Sequence, residues 1–147
     1  MIIYKKDNLL EATEDIIAHG CNISGGFGSG VAGQIAKQWP FAREAYLKIH
    51  RTRGWSLGEV QTFHVVTPYK IISNCITQKE YLPRGVCHAD YNAIRTCMET
   101  VKRIGKNSNQ SIAIPKIGCG LAGGDWNVVK EILEDVFQDY DVTVYEL

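Results

Sequence analysis

Two glycine-rich segments carry most of the chemistry this chain can do: Gly25 to Gly30 reads GGFGSG, and Ile114 to Trp126 reads IPKIGCGLAGGDW. Glycine presents no side chain and accepts positive φ, so a ligand can approach bare backbone N–H groups closely. Each segment lies between a strand-like apolar run and apolar residues at helical spacing. Asp15 to Cys21 precedes the first, which leads into Val31, Ala32, Ile35, Ala36 and Trp39. Ser111 to Ile114 precedes the second, which leads into Trp126, Val129, Ile132, Leu133, Val136 and Phe137. Helix N-termini hold unpaired N–H groups and the positive end of the macrodipole, both of which favour an anion. Two strand, loop, helix units in one chain therefore predict a clamp for a diphosphate.

Other motifs point elsewhere and fail on context. Gly118, Gly120 and Gly123 satisfy the dinucleotide fingerprint GxGxxG, but only 24 residues follow Gly123, too few for the strands and the acidic residue that fingerprint requires. Neither loop ends in the Lys-Ser or Lys-Thr of an ATP-binding P-loop. Cys97 and Arg103 have the spacing of a cysteine phosphatase loop, yet CMETVKR lies inside a strong helical pattern and contains no glycine, which makes Cys97 a core thiol. His19, His50, His64 and His88 include no pair at metal-ligand spacing, and the carboxylates do not cluster. No metal and no cofactor is expected.

The elements that must position the loops follow from periodicity. Apolar runs at Ile2 to Lys5, Ile16 to Cys21, Val60 to Val66, Lys70 to Ile76, Ser111 to Ile114 and Val142 to Glu146 predict about six strands. Helices are predicted over Val31 to Trp39, Phe41 to His50 with Pro40 as the break, and His88 to Ile104 with Gly105 as the stop. Alternation of this kind gives a three-layer α/β/α domain over 1–147 with a mostly parallel sheet, made mixed by a hairpin around Thr67 to Tyr69. In such sheets ligands bind beyond the carboxyl ends of the strands, where both loops fall. The 147 residues carry 16 basic and 16 acidic side chains with no basic stripe, so a small-molecule partner is expected rather than nucleic acid. Five cysteines without a CxxC pair, no signal-like N-terminus and no spanning apolar stretch predict a cytoplasmic chain without a membrane partner.

In chain order, YKKDNL after the first strand, AHGCN at the end of the second, GSGVAGQI opening a helix and IPKIGCGLAGG before the last helix resemble the macrodomain family. That resemblance covers nearly the whole chain and implies an ADP-ribose-binding α/β/α module, here a monomer. Its branch of ADP-ribose 1''-phosphate phosphatases and terminal ADP-ribose glycohydrolases looks most similar. The resemblance implies that Asp7 accepts a hydrogen bond from the adenine amine beside Asn8 and Leu9. It implies that Asn22, flanked by Cys21 and Ile23, holds the distal ribose. Gly28, Ser29, Gly30, Val31 and Ala32 match the first phosphate loop. Ile117, Gly118, Cys119, Gly120, Leu121, Ala122 and Gly123 match the second.

The glycohydrolase branch needs a lysine where this chain has Gln78, next to Lys79, and an aspartate where it has Ala122. The lysine is the nucleophile of that route and the carboxylate assists it. His19 and Asp125 stand where the phosphatase branch is thought to use a histidine and an aspartate. The resemblance thus implies a phosphatase acting on ADP-ribose 1''-phosphate, a by-product of tRNA splicing, with His19 as nucleophile or acid and Asp125 orienting water or the imidazole. A non-catalytic ADP-ribose reader, and a hydrolase of O-acetyl-ADP-ribose or ADP-ribosyl carboxylates, are the alternatives. Each residue also has a structural role open to it: Asp125 as a helix N-cap, His19 as a satisfied core histidine, Asn22 and Asp7 as turn residues. Trp126 reads as core, and Phe27, set among glycines, as a cover for the distal ribose.

Overall fold

The structure, a computed structural model, describes residues 1–66, 69–80, 82–83 and 85–147. Strands β1 (Ile2–Lys6), β2 (Ile16–Asn22), β3 (Val60–Val66), β4 (Tyr69–Gln78), β5 (Ile112–Ile114) and β6 (Val142–Glu146) form one sheet in the order β1-β6-β5-β2-β4-β3. All neighbours are parallel except β3, which runs antiparallel to β4 at the edge. The expected hairpin thus joins these two strands, although Thr67 and Pro68 in its turn lie outside the described residues. Helices α1 (Gly30–Gln38) and α2 (Pro40–Thr52) cover one face, and α3 (Tyr91–Ser108) and α4 (Trp126–Val136) the other. This is the expected three-layer α/β/α arrangement.

Side chains alternate across a strand with a period of two, which divides the core into two slabs. Ile16 and Ala18 of β2 join Ile94, Met98, Leu133 and Phe137 beneath α3 and α4, while Ile17 and Cys21 join Ile35, Trp39 and Tyr46 beneath α1 and α2. Helix α3 departs most from the sequence expectation, at both ends. Helix α3 starts at Tyr91 because the Asp90 carboxylate accepts the Ala93 amide at 2.8 Å, a cap worth about 1 kcal/mol. It also runs past Gly105, and ends where Asn109 adopts a left-handed conformation at φ 52°. Gly105 is a packing residue instead of a stop: a Cβ there would meet Gln110 O and Ile112 Cδ1, both at 3.0 Å.

His19 lies on the α1/α2 face of β2, and its ring is fully buried. Its Nε2 is 2.6 Å from Asn74 Oδ1 on β4. The Asn74 amide nitrogen donates to Ala42 O at 3.1 Å and to Gln61 Oε1 at 3.0 Å, so Oδ1 is the acceptor and His19 carries its proton on Nε2. Cys21 Sγ faces Nδ1 at 4.0 Å, and Phe27 meets the imidazole edge-on with centroids 5.5 Å apart. Burial pushes the His19 pKa down to about 4, against the opposing pull of the Asn74 hydrogen bond. His19 is therefore a neutral tie between β2, β4 and α2, the core-histidine role open to it from the sequence.

A histidine held neutral in the folded state but free to protonate near its ordinary 6.5 when unfolded makes the unfolded chain the stronger proton binder between those values. Stability contributed by neutral His19 is complete above about pH 6.5 and drains away as pH falls to about 4, a loss of about 3 kcal/mol. Urea unfolding of the parent and of His19→Gln at several pH values in that window measures it, and the variant should lose most of the slope.

Candidate functional site

Strands β2 and β5 are neighbours, but the chain leaves β2 toward α1 on one face and β5 toward α4 on the other. Their two loops separate at that point, and ligands of open α/β sheets bind at such switch points. Here a cleft of about 520 Å³ opens beyond the carboxyl ends of β2, β4 and β5, within the size range of small-molecule sites. Its lining includes Cys21, Asn22, Ser29, Gly30, Val31, Ala32, Ile117, Gly118, Cys119, Gly120, Leu121 and Ala122, all named from the sequence. Gly20, Gly26, Gln78, Pro115 and Lys116 complete it. Gly20 had a readable signal, being a glycine inside an apolar strand, a mark of close approach. Any Cβ there would lie 2.7 Å from Thr77 Oγ1.

Backbone donors dominate the lining. In the first loop the earliest amide bond of α1 is Gly33 N to Ser29 O at 3.1 Å, so the Gly30, Val31 and Ala32 amides have no backbone partner among the described residues. The second loop folds on itself through Cys119 N to Lys116 O at 3.1 Å, Gly123 N to Gly120 O at 3.1 Å and Gly124 N to Gly118 O at 2.7 Å. The same holds there for the Gly118, Gly120, Leu121 and Ala122 amides. Gly118 has a φ of 77°, and a Cβ on it would stand 2.8 Å from Ile94 Cδ1 of α3, so only glycine lets this loop pack so low. The loops touch across the cleft: a Cβ on Gly30 would lie 3.3 Å from Leu121 Cδ1.

Charged side chains contribute little. Lys116 Nζ is 2.9 Å from Glu146 Oε2 and 5.3 Å from the centre of the Trp126 ring, so its charge is already matched. Burial and nearby Asp125 push the Cys119 thiol up to about 11, leaving it protonated at neutral pH. No carboxylate lines the cleft, and no group of three His, Cys, Asp or Glu side chains is arranged to hold a metal, among the described residues. An anion here is held by peptide dipoles.

At the β2 end, Asn22 sits opposite Gln78 of β4, at a register shift that follows Cys21. Bulges of this kind re-aim side chains beside sites. Gln78 Nε2 donates to Glu80 O at 2.7 Å, while Lys79 is exposed and outside the cleft lining. The Asn22 carboxamide braces its own loop: Nδ2 donates to Gly26 O at 2.8 Å, and Oδ1 accepts the Ser24 and Gly26 amides at 3.0 and 3.1 Å.

Several sequence-named residues lie away from the lining. Asp125 is exposed and accepts the Asn127 amide at 2.9 Å as the N-cap of α4, the structural role open to it from the sequence. Phe27 is 3% exposed and packs on His19 and Tyr46, so it belongs to the core and covers no ribose. Trp126 is half-buried against the α3/α4 slab. Asp7 is exposed and accepts the Asn8 amide at 2.7 Å, Asn8 caps a single 3-10 turn at Leu9–Glu11, and Leu9 is buried. Ile23 after β2, Gly28 of the first loop and Gly123 of the second lie outside the lining.

The comparisons agree with this geometry. The model of the Macro domain matches residues 18–133. A protein of unknown function from Bacteroides thetaiotaomicron has a solved structure that superposes with a TM-score of 0.89 at 30% identity, covering 100% of this chain and 98% of that one. Among named relatives, the DNA ADP-ribosyl glycohydrolase of Mycobacterium tuberculosis is 29% identical over 152 residues, which cover 99% of this chain but 42% of that protein. The ADP-ribose 1''-phosphate phosphatase of Candida glabrata is 24% identical over 176 residues, covering 99% of this chain and 98% of that protein. No helix among the described residues is long and apolar enough to cross a membrane. With its cleft at the switch point between two amide-rich loops and the family model spanning most of its length, this chain belongs to the Macro domain family.

Proposed function

We propose that this chain is a hydrolase of ADP-ribose derivatives that removes the terminal phosphate of ADP-ribose 1''-phosphate, releasing ADP-ribose and inorganic phosphate. ADP-ribose chemistry is common to the two named relatives, one a phosphatase and one a glycohydrolase. The observation that carries the choice is Gln78. It lines the cleft where a lysine nucleophile would be needed for glycohydrolysis, while Lys79 stays outside the lining and Ala122 offers no carboxylate.

In this reading the unpaired amides of the two loops hold the diphosphate, Asn22 and Gln78 face the distal ribose, and Asp7 takes the adenine amine. Phosphate monoester hydrolysis has a loose transition state, so positioning and charge stabilisation supply most of the catalysis. Water attacks phosphorus, the bond from phosphorus to the 1'' oxygen breaks, and that oxygen leaves with a proton as the free hydroxyl. Gln78 Nε2 donates to Glu80 O, which fixes the carboxamide, and its Oε1 orients the water. A reader without turnover is the second reading. It is favoured by a lining whose titratable groups are Lys116 and two thiols, Cys21 and Cys119, among the described residues.

Phosphate release from ADP-ribose 1''-phosphate, set beside release of ADP-ribose from ADP-ribosylated DNA, separates the reactions. Phosphate alone is expected; ADP-ribose freed from DNA would overturn the proposal, and binding without either product would leave the reader. Gln78→Ala should lower kcat by about tenfold or more, whereas Asp125→Asn, which keeps the helix cap, should stay within about twofold of the parent. Gly120 lines the cleft and a Cβ there would have nothing within 4 Å, so Gly120→Ala adds a methyl group without a clash. It should melt like the parent and bind ADP-ribose at least about tenfold more weakly by calorimetry.

A further inference from the structure

We infer that Tyr46 of α2 is a positioning residue for the ligand, acting through its hydroxyl on the first glycine loop; this rests on the assignment of that loop to the ADP-ribose phosphates. The side chain is fully buried, and its hydroxyl is the point where α2 meets the loop. The phenolic hydrogen goes to Asn22 O at 2.6 Å, and the oxygen accepts the Gly25 amide at 3.0 Å. Asn22 Oδ1 lies 3.0 Å from the same hydroxyl. One group thus fixes both the last residue of β2 and the first turn of the loop, at a glycine whose φ is 95°.

The ring is held independently of that hydroxyl. Trp55 stacks on it at 5.8 Å with planes 13° apart, His50 at 6.3 Å with planes 7° apart, and Phe27 packs at 5.0 Å. Trp55 Nε1 also donates to the Tyr46 carbonyl at 3.1 Å. Removing the oxygen leaves this stack in place but releases Asn22 O and Gly25 N. The loop then samples conformations in which the α1 amides no longer converge, and the ligand must restore their order on binding. A tyrosine that served only the core would change the amount of folded protein and leave the affinity of that protein alone.

Calorimetric titration with ADP-ribose separates the two, because a lower folded fraction alters the stoichiometry and a disordered loop alters Kd. For Tyr46→Phe we expect a Kd about 5- to 10-fold weaker at unchanged stoichiometry, with faster amide hydrogen exchange over 23–30 and unchanged exchange in β5 and β6. A Kd within twofold of the parent overturns the inference. So does a Tyr46→Phe chain that fails to fold, since the stack is then insufficient. Failure of the parent to bind ADP-ribose would instead remove the reading of the loop on which the inference rests.

Discussion

The site depends on one topological constraint: β2 and β5 are hydrogen-bonded neighbours whose chains must leave toward opposite faces of the sheet. A helix can close over the end of a strand only from its own side, so a gap remains between the two connections. In a gap at the end of a parallel sheet, the backbone cannot continue the ladder and its amides lack strand partners. Here one wall is the first turn of α1 and the other a loop whose internal bonds run among its own residues. Both walls present N–H groups to the same space, and a phosphate-bearing ligand can satisfy them without a lysine or arginine. The single lysine in the described lining, Lys116, is already balanced by Glu146.

Rigidity of those donors comes from close packing more than from charge. The second loop is pressed against α3, with Gly118 over Ile94 and Gly124 over Gly118 O, and α3 is itself tied to β4 by Asp90 N to Thr77 O at 2.8 Å. Ala122 O adds a further anchor by accepting the His88 and Ala89 amides at 2.7 and 3.2 Å. The first loop is braced instead by side chains, chiefly the Asn22 carboxamide and the Tyr46 hydroxyl. Donors fixed in this way need little reorganisation when charge arrives, which is the condition under which dipoles stabilise it well.

Periodicity made the layers, the strands and both loops legible, because apolar spacing reports which face of each element is buried. It also made the burial of His19 legible, since Ile17, His19 and Cys21 share one face of a strand and two of the three are core residues. Phe27 was misplaced: glycines on either side suggest exposure, but its neighbours His19 and Tyr46 come from a strand and a helix that only the fold brings together. The pairing of Asn22 with Gln78 is likewise a matter of strand register, which local sequence does not encode. Asp125 was legible in both its senses, and the start of α4 favours the cap.

Binding and reaction are separable in this architecture. Amides aimed at a diphosphate interact with substrate and transition state alike, so they set affinity without choosing the bond that breaks. Selectivity must come from side chains of the cleft, and at its β2/β4 end the described lining offers carboxamides, Asn22 and Gln78. A carboxamide is a poor nucleophile at an anomeric carbon but can hold a water in line with phosphorus, where little nucleophilic push is required. A lysine at the end of β4 and a carboxylate in place of Ala122 would add the pair that glycohydrolysis requires there, while the amide walls stayed as they are. Exchange of two residues at the rim, with the fold untouched, is thus a physically small step between a cleft suited to a phosphate ester and one suited to a glycosidic bond.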